Sequence, residues 1–523
     1  MDTQISFPTL GEVAKELFEL SGFLAQKHKT SSVIATDEQK KNIQKKLQRL
    51  SKEDGELEEN LHELLVLWTE LLHERIEDPE VVNAICFTVK DAFLVYNEVV
   101  KDEGTYLNKS GSSKWLIESI LPSRITTSIH KWMITFGIRY KELSFPKEPF
   151  WWLPSQLNDE TVWPLKHAFD WLYVVCKTNK TNFHYPNYKL EDDPKRKQDL
   201  ENAIGWSKGK HLPALSNLLK AINDGLDQRN DVSPKNKGSI NIIFFLARLS
   251  TAIFMKIEEN YGKHVLSDAL DRSKTYYNLI EKEFRPFNNF IHNEVIRLKE
   301  HGFNPDNPQV ICHFYKLQSE FSNHWGKKIE ESQRYVPLNQ LDSKPKQLER
   351  VQNNKDILGD FLAYKLTHLL SLDSHVDLLP HMFFESYCEG EKILKESRFQ
   401  VLNQSRINSY RALIHSHHLE PYLKWQLLWI DAHINIHQGK KKDALACYEK
   451  SFELAKYCAG QRQYTLVNEY LLFSAKNSKW KQFKKAYAWA EYLNIPIRII
   501  RNFEGVTAKE AFNLFKSVNI DFI

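Results

Sequence analysis

The stretch at residues 57–76, LEENLHELLVLWTELLHERI, decides the fold class. Leu57, Leu61, Leu64, Leu65, Trp68, Leu71 and Leu72 recur at spacings of three and four, and Glu58, Glu59, His62, Glu63, Glu70 and Glu74 fill the gaps. That is the pattern of a helix with one buried face, which needs neighbours of the same kind. After the breaker Asp78-Pro79, residues 81–100 supply an antiparallel partner, and residues 9–101 read as about four helices in an up-and-down bundle.

The composition extends this reading to the whole chain. With 18 Gly and 19 Pro in 523 residues, the sequence is too poor in turn residues for a β protein, while 42% hydrophobic and 26% charged residues suit a folded chain. The expected fold class is all-α and multi-domain, because one core rarely serves so long a chain. Three polar stretches divide it: KDEGTYLNKSGSSK at 101–114, DGLDQRNDVSPKNKG at 224–238, and residues 332–354. They leave an N-terminal helical bundle (1–105), a Trp-rich central helical part (115–226), a long-helix part (239–330) and a C-terminal helical region (355–523). In the second part, Pro146, Pro149 and Pro154 forbid continuous helix, so an extended connection is expected before a helix over 162–177. In the third, two long helices are expected, the second kinked at Pro286.

Charge and cysteine exclude several classes. The 71 Lys and Arg nearly balance 67 Asp and Glu, so any nucleic-acid or anionic surface must be a local patch. Cys86, Cys176, Cys312, Cys388, Cys447 and Cys458 form no CxxC pair, which argues against a zinc ribbon or disulfide framework and fits a cytoplasmic protein. The N-terminus lacks the pattern of a secretory signal, and the most apolar run, 240–255, is broken by Asn241, Arg248 and Ser250, so no membrane partner is expected.

At 206–226, WSKGKHLPALSNLLKAINDGL, Trp206, Gly209, Pro213, Leu218 and Ala221 stand at fixed spacing. The segment resembles the second half of a Cro-type helix-turn-helix. The resemblance implies DNA reading between Gln198 and Lys210, with Lys195, Arg196, Lys197, Lys208 and Lys210 for phosphates. Near the C-terminus, Gly439, Ala444 and Tyr448 are followed about 39 residues on by Trp480, Phe483, Tyr487 and Ala490, with Pro496 as a stop. This resembles the tetratricopeptide family, and helices from about 356 to 418 are expected to extend the stack. Such an array implies a protein partner, with Trp480, Lys481 and Lys484 as its candidate contacts.

Catalytic patterns are few. An arginine followed by a histidine a few residues on resembles the signature of the HEPN family of helical ribonucleases; Arg124 with His130, Arg285 with His292, and Arg411 with His417 or His418 satisfy it. The best match, RPFNNFIH, implies Arg285 and His292 as a catalytic pair that meets across a dimer to act on the 2'-hydroxyl and phosphate. His433 and His437 have a spacing two metal ligands could use, and His415, His417 and His418 lie nearby, but no glutamate adjoins His433 as a metalloprotease requires. No GxGxxG or GxSxG motif occurs, and the Gly111-Ser112-Ser113-Lys114 order breaks a P-loop. The sequence calls for no metal and no cofactor. Its expected function is non-enzymatic recognition of a protein partner, and of nucleic acid through the centre, as a regulator or a component of a bacterial stress or antiphage system; the alternative is a HEPN-like ribonuclease with a repeat-built sensor.

Overall fold

A computed structural model describes residues 7–23, 37–53, 56–76, 78–103, 121–139, 149–157, 160–190, 192–229, 234–302, 382–500 and 505–518, with scattered positions between, chiefly at 304–325. Trp115, Cys312, most of the 101–114 loop, the polar stretch 332–354 and residues 356–381 of the expected stack lie outside the described residues. The fold is all-α. The four helices expected at the N-terminus are α1 (Leu10–Ser21), α2 (Asp37–Ser51), α3 (Leu57–His73) and α4 (Pro79–Glu98), the last running into one π-helical turn, Val99–Glu103. Every leucine quoted from α3, and Trp68, is buried.

Helix α5 (Leu121–Arg139) follows, then a hairpin of β1 (Ser155–Leu157) and β2 (Glu160–Val162) with Gln156 opposite Thr161. The extended connection expected after Pro154 therefore closes on itself as a two-stranded ribbon. Trp163 is the N-cap residue of α6 (Pro164–Val175), where the fixed φ of Pro164 suits the first helical position. Beyond it come α7 (Lys180–His184), α8 (Pro194–Ser207), α9 (Leu215–Leu226), α10 (Pro234–Tyr261) and α11 (Lys263–Glu300). Helix α11 continues through Pro286, which is exposed.

Helix α10 is the centre. Ile240, Ile242, Ile243, Phe244, Phe245, Leu246 and Ala247 are buried on successive faces, which a helix covered on one side only could not achieve. Helices α1, α6, α9 and α11 all pack against it. Its segment Asn236–Tyr261 is long and apolar enough to cross a membrane, but most of it is buried inside the protein, the place of a core helix.

Within this apolar helix Arg248 is only 3% exposed. Its Nε donates to the Pro213 carbonyl (2.7 Å) and its Nη1 to the Leu20 carbonyl (2.6 Å), so one side chain ties α10 to the end of α1 and the turn before α9. Burial pulls the guanidinium down to about 10. Gly22 ends α1 in the left-handed region (φ 80°), and a Cβ there would lie 2.5 Å from Arg248 Nη2.

The C-terminal region is a succession of helix hairpins: α12 (Phe383–Ser397) with α13 (Gln404–Ser416), α14 (Glu420–His437) with α15 (Lys441–Ala455), and α16 (Arg462–Lys476) with α17 (Trp480–Tyr492), closed by α18 (Ala508–Ser517). Gly439 (φ 73°) and Ser478 (φ 56°) take the same left-handed turn in the last two hairpins. Helix α3 packs against α17, and a buried polar seam fastens the N-terminal layer to these hairpins. Lys456, 2% exposed, pairs with Glu53 and lies over the rings of Phe452 and Trp489, 5.0 and 5.3 Å from their centroids. Gln463 Nε2 donates to the Val100 carbonyl (2.8 Å), and the Trp489 indole N–H donates to Gln463 Oε1 (3.0 Å). One apolar core runs from Phe7 to Phe515.

Gly22→Ala is expected to cost about 2–4 kcal/mol in urea unfolding, the left-handed strain plus displacement of Arg248. Gly302→Ala, at the same φ of 80° with nothing within 4 Å, is the control and should cost about 1 kcal/mol. Equal losses would show that Arg248 is not held by that close approach.

Candidate functional site

The candidate nucleic-acid residues sit at the two ends of α8. Asp193 caps its N-terminus by accepting from the Lys195 and Arg196 backbone N–H groups (3.0 and 3.1 Å). The side chains of Lys195, Lys197, Lys208 and Lys210 are exposed, and that of Arg196 is half-buried. Lys195 pairs with Asp224 of α9 (2.6 Å). A helix of 14 residues spans about 20 Å, so Lys195, Arg196 and Lys197 form one basic group and Lys208 and Lys210 another at the far end. Trp206 is buried, and Gly209 (φ 68°) lies so close to Trp163 that a Cβ would meet its ring at 2.3 Å.

Arg285 and His292 are both exposed on α11. Seven residues along one helix is about two turns, so within one chain roughly 10 Å of axis separates them. Arg285 Nε contacts Glu281 Oε1 at 3.2 Å. Three histidines of the C-terminal region, His415, His433 and His437, are engaged in hydrogen bonds. His433, buried, places Nδ1 2.8 Å from Ser397 Oγ and Nε2 2.9 Å from Glu469 Oε2, and His437 Nε2 is 2.9 Å from the Ser397 carbonyl. His415 pairs with Glu420 (2.7 Å) and Arg411 with Asp431. Among the described residues no group of three or more His, Cys, Asp or Glu could hold a metal ion.

Ser397, His433 and Glu469 stand on α12, α14 and α16, a rung across three successive first helices. Glu469 also accepts from the Trp429 indole (2.6 Å) and the Tyr448 hydroxyl (3.2 Å), and pairs with Arg398 (2.6 Å). Burial alone would raise its carboxyl, but the His433 hydrogen bond and charge, with Arg398, hold it below the usual range. A second rung joins Glu391, Gln426 and Arg462: Gln426 Nε2 donates to Glu391 (2.9 Å) and Arg462 pairs with the same carboxylate (2.5 Å). Gly390 leaves room for it, since a Cβ there would lie 2.0 Å from Gln426 Oε1. With Ser397, Gln426 and His433 buried and each hydrogen-bonded to a neighbouring helix, these rungs fasten helices together.

Among the described residues, two further places present chemistry to solvent. The first is the start of α17, where Trp480 is 40% exposed although every other described tryptophan is buried. Its ring stacks on Phe483 (6.4 Å between centroids) and meets the edge of Phe512 (5.4 Å). Lys476, Lys479, Lys481, Lys484 and Lys485 are exposed around it. Of these, Lys485 is tied to Glu453 (2.7 Å) and Lys476 to carbonyls at the C-terminal end of α18, while Lys484 faces Glu56 at the start of α3.

The second is an open cleft of about 380 Å³ between α5 and α11. Tyr277, Glu281, Phe284 and Asn288 line it from one stripe of α11, and His130, Met133 and Ile134 from α5. His130, 2% exposed, places Nδ1 3.0 Å from Ser322 Oγ and Nε2 3.3 Å from Glu281 Oε2. The hydrogen bond from His130 holds the Glu281 carboxyl below its ordinary range against the opposing effect of burial, with Arg285 assisting. The Arg-His spacing singled out His130 and Arg285 in separate matches; the fold links them through Glu281, which that spacing did not mark. A carboxylate and an amide on the apolar stripe of a long helix were the signal available for this cleft.

Compared with protein-family models, with curated proteins and with solved structures, the chain matches none.

A carboxylate depressed in the folded state stabilises above its ordinary value of 4.5, and that contribution is lost as pH falls through the lower folded value. The urea midpoint of Glu281→Gln should therefore lie below that of the unsubstituted chain at pH 7, with the gap narrowing below about pH 4.5. A gap that stays constant down to pH 3 would contradict the pairing.

Proposed function

We propose that the chain is a non-enzymatic, cytoplasmic helical-repeat protein that binds a protein partner through the start of α17. The reading takes residues 355–523 as a tetratricopeptide-like array, in keeping with the successive hairpins. The observation that carries it is Trp480. Leaving so large an aromatic surface in water sacrifices burial that every other described tryptophan obtains, and exposed Trp is the residue type most enriched at binding hot spots. Its contacts with Phe483 and Phe512 fix the ring before a partner arrives, which lowers the ordering cost of association. Lys479, Lys481 and Lys484, at the positive end of the α17 dipole, select an acidic partner segment with an apolar side chain to cover the indole.

A second reading, a HEPN-like ribonuclease using Arg285 and His292, is favoured by the exposure of both side chains on one helix, where a second copy could reach them. Nucleic-acid binding by the basic ends of α8 is a further part of the proposal, carried by the exposure of Lys195, Lys197, Lys208 and Lys210.

Labelled acidic peptides with and without a central Leu or Phe should bind the full chain, the apolar ones more tightly. Trp480→Ala should weaken them about 10- to 100-fold, and Lys481→Glu with Lys484→Glu should abolish the salt dependence. Peptide binding indifferent to all three changes would refute the anchor. Cleavage of RNA by the purified chain, lost in Arg285→Ala and His292→Ala with folding intact, would replace it with the ribonuclease reading.

A further inference from the structure

Helix α18 ends beside the Trp480 surface. Phe515 packs edge-on against Phe483 (5.5 Å between centroids), and Phe512 meets both Phe483 (5.1 Å) and Trp480 (5.4 Å), so one face of α18 is laid along the start of α17. Lys476, four residues before Trp480, donates to the Lys516 carbonyl (3.4 Å) and to the Val518 carbonyl. That ammonium takes up carbonyls left without helical partners at the C-terminal end of α18, and so fixes the point where the chain leaves the helix. From Phe512, whose ring touches the indole, to Val518 is six residues, about 9 Å by helix rise.

Residues 519–523, NIDFI, follow Val518 in the sequence and lie outside the described residues. Phe522 is four residues past Val518, at most about 14 Å of extended chain. That reach exceeds the helix length between Val518 and Phe512, which keeps the exposed edge of Trp480 within range. The chemistry of the segment is the one this surface selects: Asp521 is a carboxylate between the apolar side chains of Ile520 and Phe522. Opposite them stand an indole that is 40% exposed and the exposed ammonium groups of Lys479 and Lys481. The positive end of the α17 dipole adds to the attraction for a carboxylate there.

A tethered segment also has an advantage that a free peptide lacks. A linker this short holds it at an effective concentration in the millimolar range, so an intrinsically weak contact is enough to fill the surface.

We infer that residues 519–523 dock on the Trp480 surface of their own chain, with Phe522 covering the indole and Asp521 facing Lys479 and Lys481, so that an external acidic partner must displace them. This rests on the reading of Trp480 as a docking surface and adds a competitor built into the chain.

Two measurements on the full chain test it. With 5-fluorotryptophan incorporated, the Trp480 fluorine resonance, assigned by its loss in Trp480→Phe, should move when Asp521→Lys and Phe522→Ala are combined, and its position should not depend on protein concentration. The same double substitution should tighten binding of the acidic Leu and Phe peptides about 3- to 10-fold. A resonance that stays in place overturns the inference whatever the peptides do. So does a position that changes on dilution, which assigns the occupant to a second copy, and so does peptide affinity left unchanged by the double substitution. A resonance that moves while neither chain binds any peptide supports the contact and refutes the external partner, so the two proposals fail separately.

Discussion

The guanidinium of Arg248 is a fixed charge at the middle of the buried central helix α10, bonded to two main-chain carbonyls and to no carboxylate among the described residues. Carbonyl partners satisfy its N–H groups without bringing a second charge out of water, though desolvation still strains the guanidinium. Its reach dictates where α1 ends and where α9 begins. Because α6, α9 and α11 all rest on α10, the placement of that one side chain sets the register of the central layers.

From that centre the N-terminal helices extend in a second direction, to the C-terminal hairpins. There the joint is again polar and buried, made by Glu53, Lys456 and Gln463, with aromatic rings from Phe452 and Trp489 around the ammonium. Buried ion pairs of this kind contribute little net stability over an apolar replacement, but a misdocked arrangement would strand each charge without its partner. The joint thus favours one relative placement of α3 and α17 over others of similar apolar area.

How much of this was legible in the sequence follows from the range of the interactions involved. The periodicity of 57–76 identified α3 because a half-buried helix writes its own pattern, and the breaker Asp78-Pro79 marked the real start of α4. Strands of three residues carry no measurable period, so the β1-β2 ribbon read only as extended chain. Arg248 looked like an interruption of an apolar run, since its two acceptors come from the ends of distant segments. The cleft was illegible for the same reason: His130 and Glu281 lie on helices joined only by tertiary packing. Trp480 was marked by its repeat position, but its exposure is a property of the folded surface.

The link between Glu53 and Lys456 also has a consequence for how the molecule is made. A ribosome adds about 5–20 residues per second, so the roughly 400 residues between the two take about 20–80 s to emerge. Throughout that interval the end of α2 and the outer side of α3 await surfaces that do not yet exist. The nascent N-terminal layer therefore carries an uncovered flank, a natural point for chaperone capture, until the last hairpin leaves the exit tunnel.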